Sequence, residues 1–174
     1  MGNRNPKYIS KEEYTHDYIQ SHLGKEEGYT FIQEFYSNAF QELTTSRDID
    51  VTLAHEVWIN ERKGRVDSVI IVKGHNEEVS ICFEIKGHFK DLKKDTKMFN
   101  YLGHSDYFFL AVPQYLITSA LKKAAIDSRI GVLRTTDGGI IRFPEKQYGI
   151  PNEARDEIKH NMIDKSYPAF LALR

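Results

Sequence analysis

The sequence predicts an α/β domain, a central mixed β-sheet with helices on both sides. Three observations predict it. Residues 66–72 and 79–86 read as two strands of a hairpin, the first apolar at nearly every position and the second alternating. Stretches at 11–23, 31–43, 114–125 and 152–163 carry the caps or apolar stripes of helices. A short buried strand at 107–112 stands between helical stretches at 88–102 and 114–125, the element order of an α/β chain.

Taken in order, residues 1–9 are polar, contain Pro6 and are expected to fray. Ser10-Lys11-Glu12-Glu13 is a capping-box pattern that opens a helix running to Leu23 and stopping at Gly24. Thr30 and Gln33 form a second box, with Phe31, Ile32, Phe35, Tyr36, Ala39, Phe40 and Leu43 as the stripe of the helix that follows. Val51 to Ile59 looks like a strand, and Asn60 to Arg65 reads as a tight, basic turn. Val66 to Val72 suits a strand covered on both faces, and Lys73-Gly74-His75-Asn76 supplies its hairpin turn. In the returning strand Val79, Ile81, Phe83 and Ile85 face one way, while Ser80, Cys82, Glu84 and Lys86 face the other. Residues 88–102 look helical, with Lys90, Lys93, Lys94 and Lys97 at i, i+3, i+4 and i+7 on one side. Tyr107 to Val112 ends at Pro113, and Leu116, Ile117, Ala120, Leu121 and Ala124 point inward from the next helix. Asp137-Gly138-Gly139 between Ile130–Leu133 and Ile140–Phe143 signals another hairpin. Asn152 to Ile163 is a polar final helix, and the apolar tail Tyr167 to Leu173 is expected to dock on its own domain or on a partner.

At 174 residues the chain is expected to be one domain, with a core at about 30–145 and the helices 10–23 and 152–163 as additions. A net charge of -1 gives no overall attraction to nucleic acid, so any such contact must come from local clusters of Lys and Arg. One cysteine excludes an internal disulfide and fits a reducing cytoplasm. No signal peptide and no apolar run of membrane-spanning length is present, so no membrane partner is expected. Seven histidines form no zinc grid: Ile59 stands where a zinc protease beginning at His55-Glu56 needs its second histidine.

The chemistry concentrates in residues 65–101. The hairpin brings Asp67 toward Glu84, and strand alternation puts Glu84 and Lys86 on one face beside Cys82. Two carboxylates and an ammonium at the end of a buried sheet are costly unless they meet a cation or a charged substrate. Magnesium suits one or two carboxylates plus waters and phosphate oxygens. Bound there, it polarises a phosphoryl oxygen and helps ionise water. A lysine beside it can orient or deprotonate that water, or neutralise charge on the phosphate. Glu-x-Lys alone is more often a solvated strand pair, and the lysines of 88–102 can equally form a salt-bridged face through Asp91 and Lys94.

The arrangement Asp67 … Glu84-Ile85-Lys86 resembles the core motif of the PD-(D/E)XK nuclease superfamily. Within it the chain is most similar to the MmcB-like DNA-repair family. The residues that carry this are Gly64-Arg65-Val66-Asp67, Glu84-Ile85-Lys86, the run Asp91 to Tyr101, and Phe108-Phe109-Leu110-Ala111-Val112-Pro113, in order over about residues 52–145. The chain departs at Leu92, Met98 and Leu110, where the family has Phe, Trp and Phe, and it has one residue fewer between Arg65 and Asp67.

The resemblance implies a restriction-endonuclease-like fold and Mg²⁺- or Mn²⁺-dependent hydrolysis of DNA phosphodiesters, in repair or in a mobile-element or defence setting. Asp67 and Glu84 become metal ligands, with the backbone carbonyl of Ile85 as a third, and Lys86 positions the attacking water. For the superfamily's additional glutamate on the first core helix, Glu34, which falls opposite the apolar stripe and reads as solvated, and Glu42, on its flank, stay open alternatives. Glu56 on the strand before Asp67 is the better candidate, binding directly or through water. Arg65, Lys90, Lys94, Lys97 and Tyr101 are the expected nucleic-acid contacts, with Asp95 helping to position. DNA is the expected partner, with a second copy of the chain where both strands are cut and a protein on the terminal segments as further candidates. The rival readings are a catalytically inactive module of the same fold that binds DNA or protein, and an accidental Glu-x-Lys in an unrelated enzyme or scaffold.

Overall fold

A computed structural model describes residues 31, 32, 34, 35, 50–59, 61, 63–73 and 77–162, together with the backbone of 166–168. Three long strands open it as an antiparallel meander: β1 (Asp50–Ile59), β2 (Gly64–Lys73) and β3 (Glu78–Ile85). Helix α1 (Phe89–Lys94) and a 3₁₀ turn (Lys97–Asn100) cross over to β4 (Tyr107–Val112), which is parallel to β3. A second 3₁₀ turn (Gln114–Leu116) and α2 (Ile117–Ala124) lead to β5 (Ile130–Arg134), parallel to β4. β6 (Ile140–Arg142) returns antiparallel, with Gly138 at φ +76° in the turn, as Asp-Gly-Gly predicts. After α3 (Asn152–Met162), β7 (Ser166–Pro168) pairs antiparallel with β1. The order across the seven-stranded mixed sheet is β6-β5-β4-β3-β2-β1-β7.

Both faces of the sheet are covered, which explains the near-continuous apolar runs of β2 and β4. On one face Cys82, Phe108, Leu110 and Val112 pack against Leu92, Met98, Ala120, Ala124, Ile158 and Met162. On the other, Ile81, Phe83, Ile85, Phe109 and Ala111 meet Phe31, Ile32 and Phe35, the rings of Phe31 and Phe83 lying edge-on at 5.2 Å. Asp106, 1% exposed, ties α3 to the sheet. It takes two bonds from Arg155 (2.6 and 2.9 Å) and two from the Ser80 amide and hydroxyl (2.9 Å each).

β1 and β2 each change face once. Ala54, Val57 and Ile59 share one core although strict alternation would separate Ala54 from the other two. The reset falls at Glu56, whose φ of +55° lies in the left-handed region that non-glycine residues rarely occupy. Glu56 stands between the His55–Ser68 and Val57–Val66 pairs, opposite Asp67. β2 makes the matching change between Val66 and Val69.

Four expectations change. The stretch 88–102 is not one helix. α1 stops at Lys94, and Asp95 is extended because its carboxylate accepts the Lys97 and Met98 amides (2.8 and 3.3 Å), a local bond that competes with helix continuation. The four lysines therefore do not form one helical side. Arg65 belongs to β2 rather than to the turn, paired across to Trp58. Glu34 is half-buried rather than solvated, its carboxylate accepting the Ile140 amide at 2.9 Å on the edge strand. The helix placed at 114–125 begins as a 3₁₀ turn. The expected helix 10–23, Glu42 and most of the expected helix 31–43 lie outside the described residues, though Phe31, Ile32, Glu34 and Phe35 are helical. Part of the apolar tail docks on its own domain as β7; residues 169–173 lie outside the described set.

The β4–β5 contact is close enough to test. A Cβ at Gly131 would lie 2.6 Å from the Phe109 ring and 2.7 Å from Pro144 Cδ, so Gly131→Ala forces two packed groups apart. Such overpacking costs about 1–3 kcal/mol, and each kcal/mol lowers Tm by roughly 2–4 °C in a chain of this size. Thermal unfolding followed by circular dichroism is expected to show that loss; an unchanged Tm would mean that the strands are not packed this way.

Candidate metal and phosphate site

The site forms near the start of β2 and the end of β3, which the antiparallel pairing brings side by side. Beyond the Ser68–Phe83 pair, the Asp67 carboxylate accepts the Ile85 amide at 2.6 Å, fixing the side chain against the end of β3. Glu84 is only 6% exposed, on the face that alternation assigns to it. Lys86 follows directly, and its ammonium lies 2.6 Å from Glu84 Oε1 and 2.9 Å from Asp95 Oδ2. Asp95 reaches it from the break after α1. Its backbone carbonyl and that of Leu92 both accept from the Lys123 ammonium of α2.

Glu84, Lys86 and Asp95 line a cleft of about 1020 Å³, while Asp67, bonded to the Ile85 amide, is not among its lining residues. Arg65, Lys94, Lys97 and Tyr101 line the same cleft as Glu84 and Lys86. Tyr101 is buried and rests on Gly64, where a Cβ would come within 2.9 Å of the ring. The cleft thus gathers most of the site residues expected from sequence. Lys90 is exposed on α1 and is not among the lining residues. Glu56 lies opposite Asp67 but turns its carboxylate to Arg65 Nε at 2.7 Å. Among the described residues, no three His, Cys, Asp or Glu side chains group closely enough to hold a metal, so Glu56 does not complete a triad with Asp67 and Glu84.

The electrostatics are unbalanced toward negative charge. Burial, and after it the charge of Asp67, pushes the Glu84 carboxyl up to about 8, against the pull of Lys86. Burial opposes charge on Lys86, but Glu84 and Asp95 outweigh it and hold the ammonium above its ordinary pKa. Burial likewise opposes charge on Asp95, and the bonds from Lys86 and the Lys97 and Met98 amides overcome it and lower its pKa. Burial and the surrounding carboxylates push the Tyr101 hydroxyl up to about 12. Cys82 is raised to about 12, chiefly by burial, as suits an inert core thiol.

Glu84 Oε2 is buried without a hydrogen-bond partner among the described residues. An orphaned carboxylate oxygen beside a second carboxylate is a donor set that a hard divalent cation fits. Magnesium takes one or two carboxylates and completes its shell with water and phosphate oxygens, so a protein triad is not required.

Sequence reasoning passed over Trp58 and Asn100, which also line the cleft, and Lys123, which bonds the carbonyls of Leu92 and Asp95. Trp58 was findable in principle, since it pairs with Arg65 once the hairpin register is known. Nothing local marks Lys123, whose partners lie 28 and 31 residues away.

No family model matches the chain, and no curated protein does. Among solved structures, a protein of unknown function from Silicibacter pomeroyi is similar at 22% identity with a TM-score of 0.49, over 64% of this chain and 71% of that one. No helix among the described residues is long and apolar enough to cross a membrane.

Glu84 offers a test by stability. Its proton is held more tightly in the folded state, so its contribution to metal-free stability falls as pH rises from about 4.5 toward about 8. Glutamine cannot ionise. Glu84→Gln is therefore expected to come near the parent at pH 5 and to exceed it by several kcal/mol at pH 8, each kcal/mol worth roughly 2–4 °C in Tm. Thermal unfolding in EDTA across that range checks this; a variant that loses stability as pH rises would show that the site is not short of positive charge.

Proposed function

We propose that the protein is a metal-dependent nuclease of PD-(D/E)XK type with a restriction-endonuclease-like fold, hydrolysing DNA phosphodiesters. The observation that carries this is the Lys86 ammonium held between Glu84 and Asp95 in a cleft lined also by Arg65, Lys94 and Lys97, with Asp67 fixed on the neighbouring strand where its charge reaches Glu84. The order of these residues along the chain supports the same reading.

Asp67 and Glu84 would hold Mg²⁺ or Mn²⁺, with the Ile85 carbonyl beside them. Such a cation supplies polarisation of a phosphoryl oxygen and easier ionisation of water. Lys86 stays protonated in this setting, so it acts as a donor rather than a base. It orients the attacking water and offsets charge gathering on the phosphate. Asp95 keeps that ammonium in place. Arg65, Lys94 and Lys97 take up substrate phosphates, Arg65 through its planar fork. Glu56 acts through Arg65, which it orients. Cutting both strands of a duplex would call for a second copy of the chain, and the terminal segments are the natural place for a protein partner. The setting proposed is repair, mobile-element or defence chemistry on DNA in the cytoplasm.

One observation favours a second reading, a module of this fold that binds DNA or protein without turnover: the lack, among the described residues, of a three-side-chain metal group. Cleavage separates the two. Single-stranded, duplex, nicked, flapped and branched DNA, and RNA, are incubated with the chain in Mg²⁺, Mn²⁺ or EDTA. Cutting is expected with metal only, and Asp67→Ala and Lys86→Ala are each expected to lower the rate by about 10²-fold or more. Variants as fast as the parent would refute the assignment, and DNA binding without cutting would favour the inactive module.

A further inference from the structure

We propose that Trp58 and Arg65 form a stacking subsite for an unpaired nucleobase, so that the cleft takes single-stranded nucleic acid or frayed strand ends rather than continuous duplex. This rests on the nuclease reading of the same cleft and names its substrate class.

Trp58 is 38% exposed and lines the cleft, on the face of β1 opposite the fully buried Val57 and Ile59. It also has a fixed neighbour. Trp58 and Arg65 face each other across β1 and β2, and the guanidinium carbon lies 5.6 Å from the ring centroid. Glu56 fixes that guanidinium from behind at 2.7 Å. Asn161 of α3 donates to the Trp58 carbonyl at 2.8 Å. A flat indole and a flat guanidinium, both carried on strands, make a platform that needs little ordering when a ligand arrives.

The surroundings favour a nucleic-acid strand over a peptide. Five cationic side chains line the cleft against three carboxylates, although the whole chain carries a net charge of -1. A cationic groove with an aromatic platform is the arrangement that binds single strands, the phosphates following the cations and the bases stacking on the ring. A continuous duplex offers only base edges in its grooves, because its base faces are already stacked on one another. An unpaired base exposes the face that Trp58 can cover.

Trp58 is the sole tryptophan, so its emission reports on the subsite directly. The full chain is titrated in EDTA at one fixed ionic strength, because phosphate contacts depend on salt. The probes are a thymidine homopolymer and a blunt duplex of equal length. Quenching by the single strand and little by the duplex is expected. Fluorescence anisotropy of the labelled strand is expected to show Trp58→Ala binding about 5- to 100-fold more weakly, with Trp58→Phe recovering most of the loss. Circular dichroism confirms that both variants fold, and the phenylalanine variant keeps the test valid if the alanine variant does not. Equal quenching by duplex, or full affinity in Trp58→Ala, overturns the subsite. The two readings fail separately. Metal-dependent cutting with no change in tryptophan emission removes the subsite and leaves the nuclease. Quenching by the single strand with no cutting in Mg²⁺ supports the subsite and removes the nuclease.

Discussion

Lys86 joins two parts of the chain at the base of the cleft. Its ammonium links the end of β3, through Glu84, to the break after α1, through Asp95. That link fixes the local backbone as well. Asp95 gives one oxygen to Lys86 and the other to the amides of Lys97 and Met98, which is why α1 ends where it does. Lys123 then takes the carbonyls of Leu92 and Asp95 from the far side, so α2 also braces the floor. The cost of gathering these charges out of water is met only while each stays paired.

The pairing is incomplete on the negative side. Glu84 and Asp95 share one ammonium while Asp67 adds its charge beside Glu84, and Glu84 answers by raising its pKa to about 8. A chain selected for stability alone has no reason to keep a buried carboxyl with an orphaned oxygen beside a second carboxylate. Sites that break the rules of folding are where function is expected, because what they lose in stability is offset elsewhere. Here the offset lies in the two apolar layers, which hold the sheet from both faces. The same logic applies to Glu56, whose left-handed backbone interrupts β1 directly opposite Asp67 and resets which residues of the strand face the core.

The fold was legible where periodicity was clean. Alternation in 79–85 placed Glu84 on the correct face, and the apolar runs of β2 and β4 announced strands covered on both sides. The Asp-Gly-Gly hairpin and the final helix followed from turn and helix signals. Legibility ended where a long-range contact overrode local pattern. The lysine spacing of 88–102 suits a helix, but a cap on Asp95 breaks it. Glu34 looks solvated on a helical wheel, yet it satisfies an amide 106 residues away. Glu56 was reached by position, but the face it presents depends on one backbone angle that no sequence pattern encodes. Trp58 went unnoticed because its partner, Arg65, was placed in a turn rather than on the facing strand.

The central claim is that Lys86 alone does not balance Glu84 and the neighbouring Asp67, and that a divalent cation at the unpartnered Glu84 Oε2 supplies the missing charge. The most direct measurement is the titration of its carboxyl by carbon-13 NMR, with and without Mg²⁺. The account predicts titration near 8 in EDTA and a fall of more than about one unit once Mg²⁺ is added, as an opposite charge a few ångströms away requires. A Glu84 that titrates in the ordinary carboxylate range and ignores Mg²⁺ would contradict it.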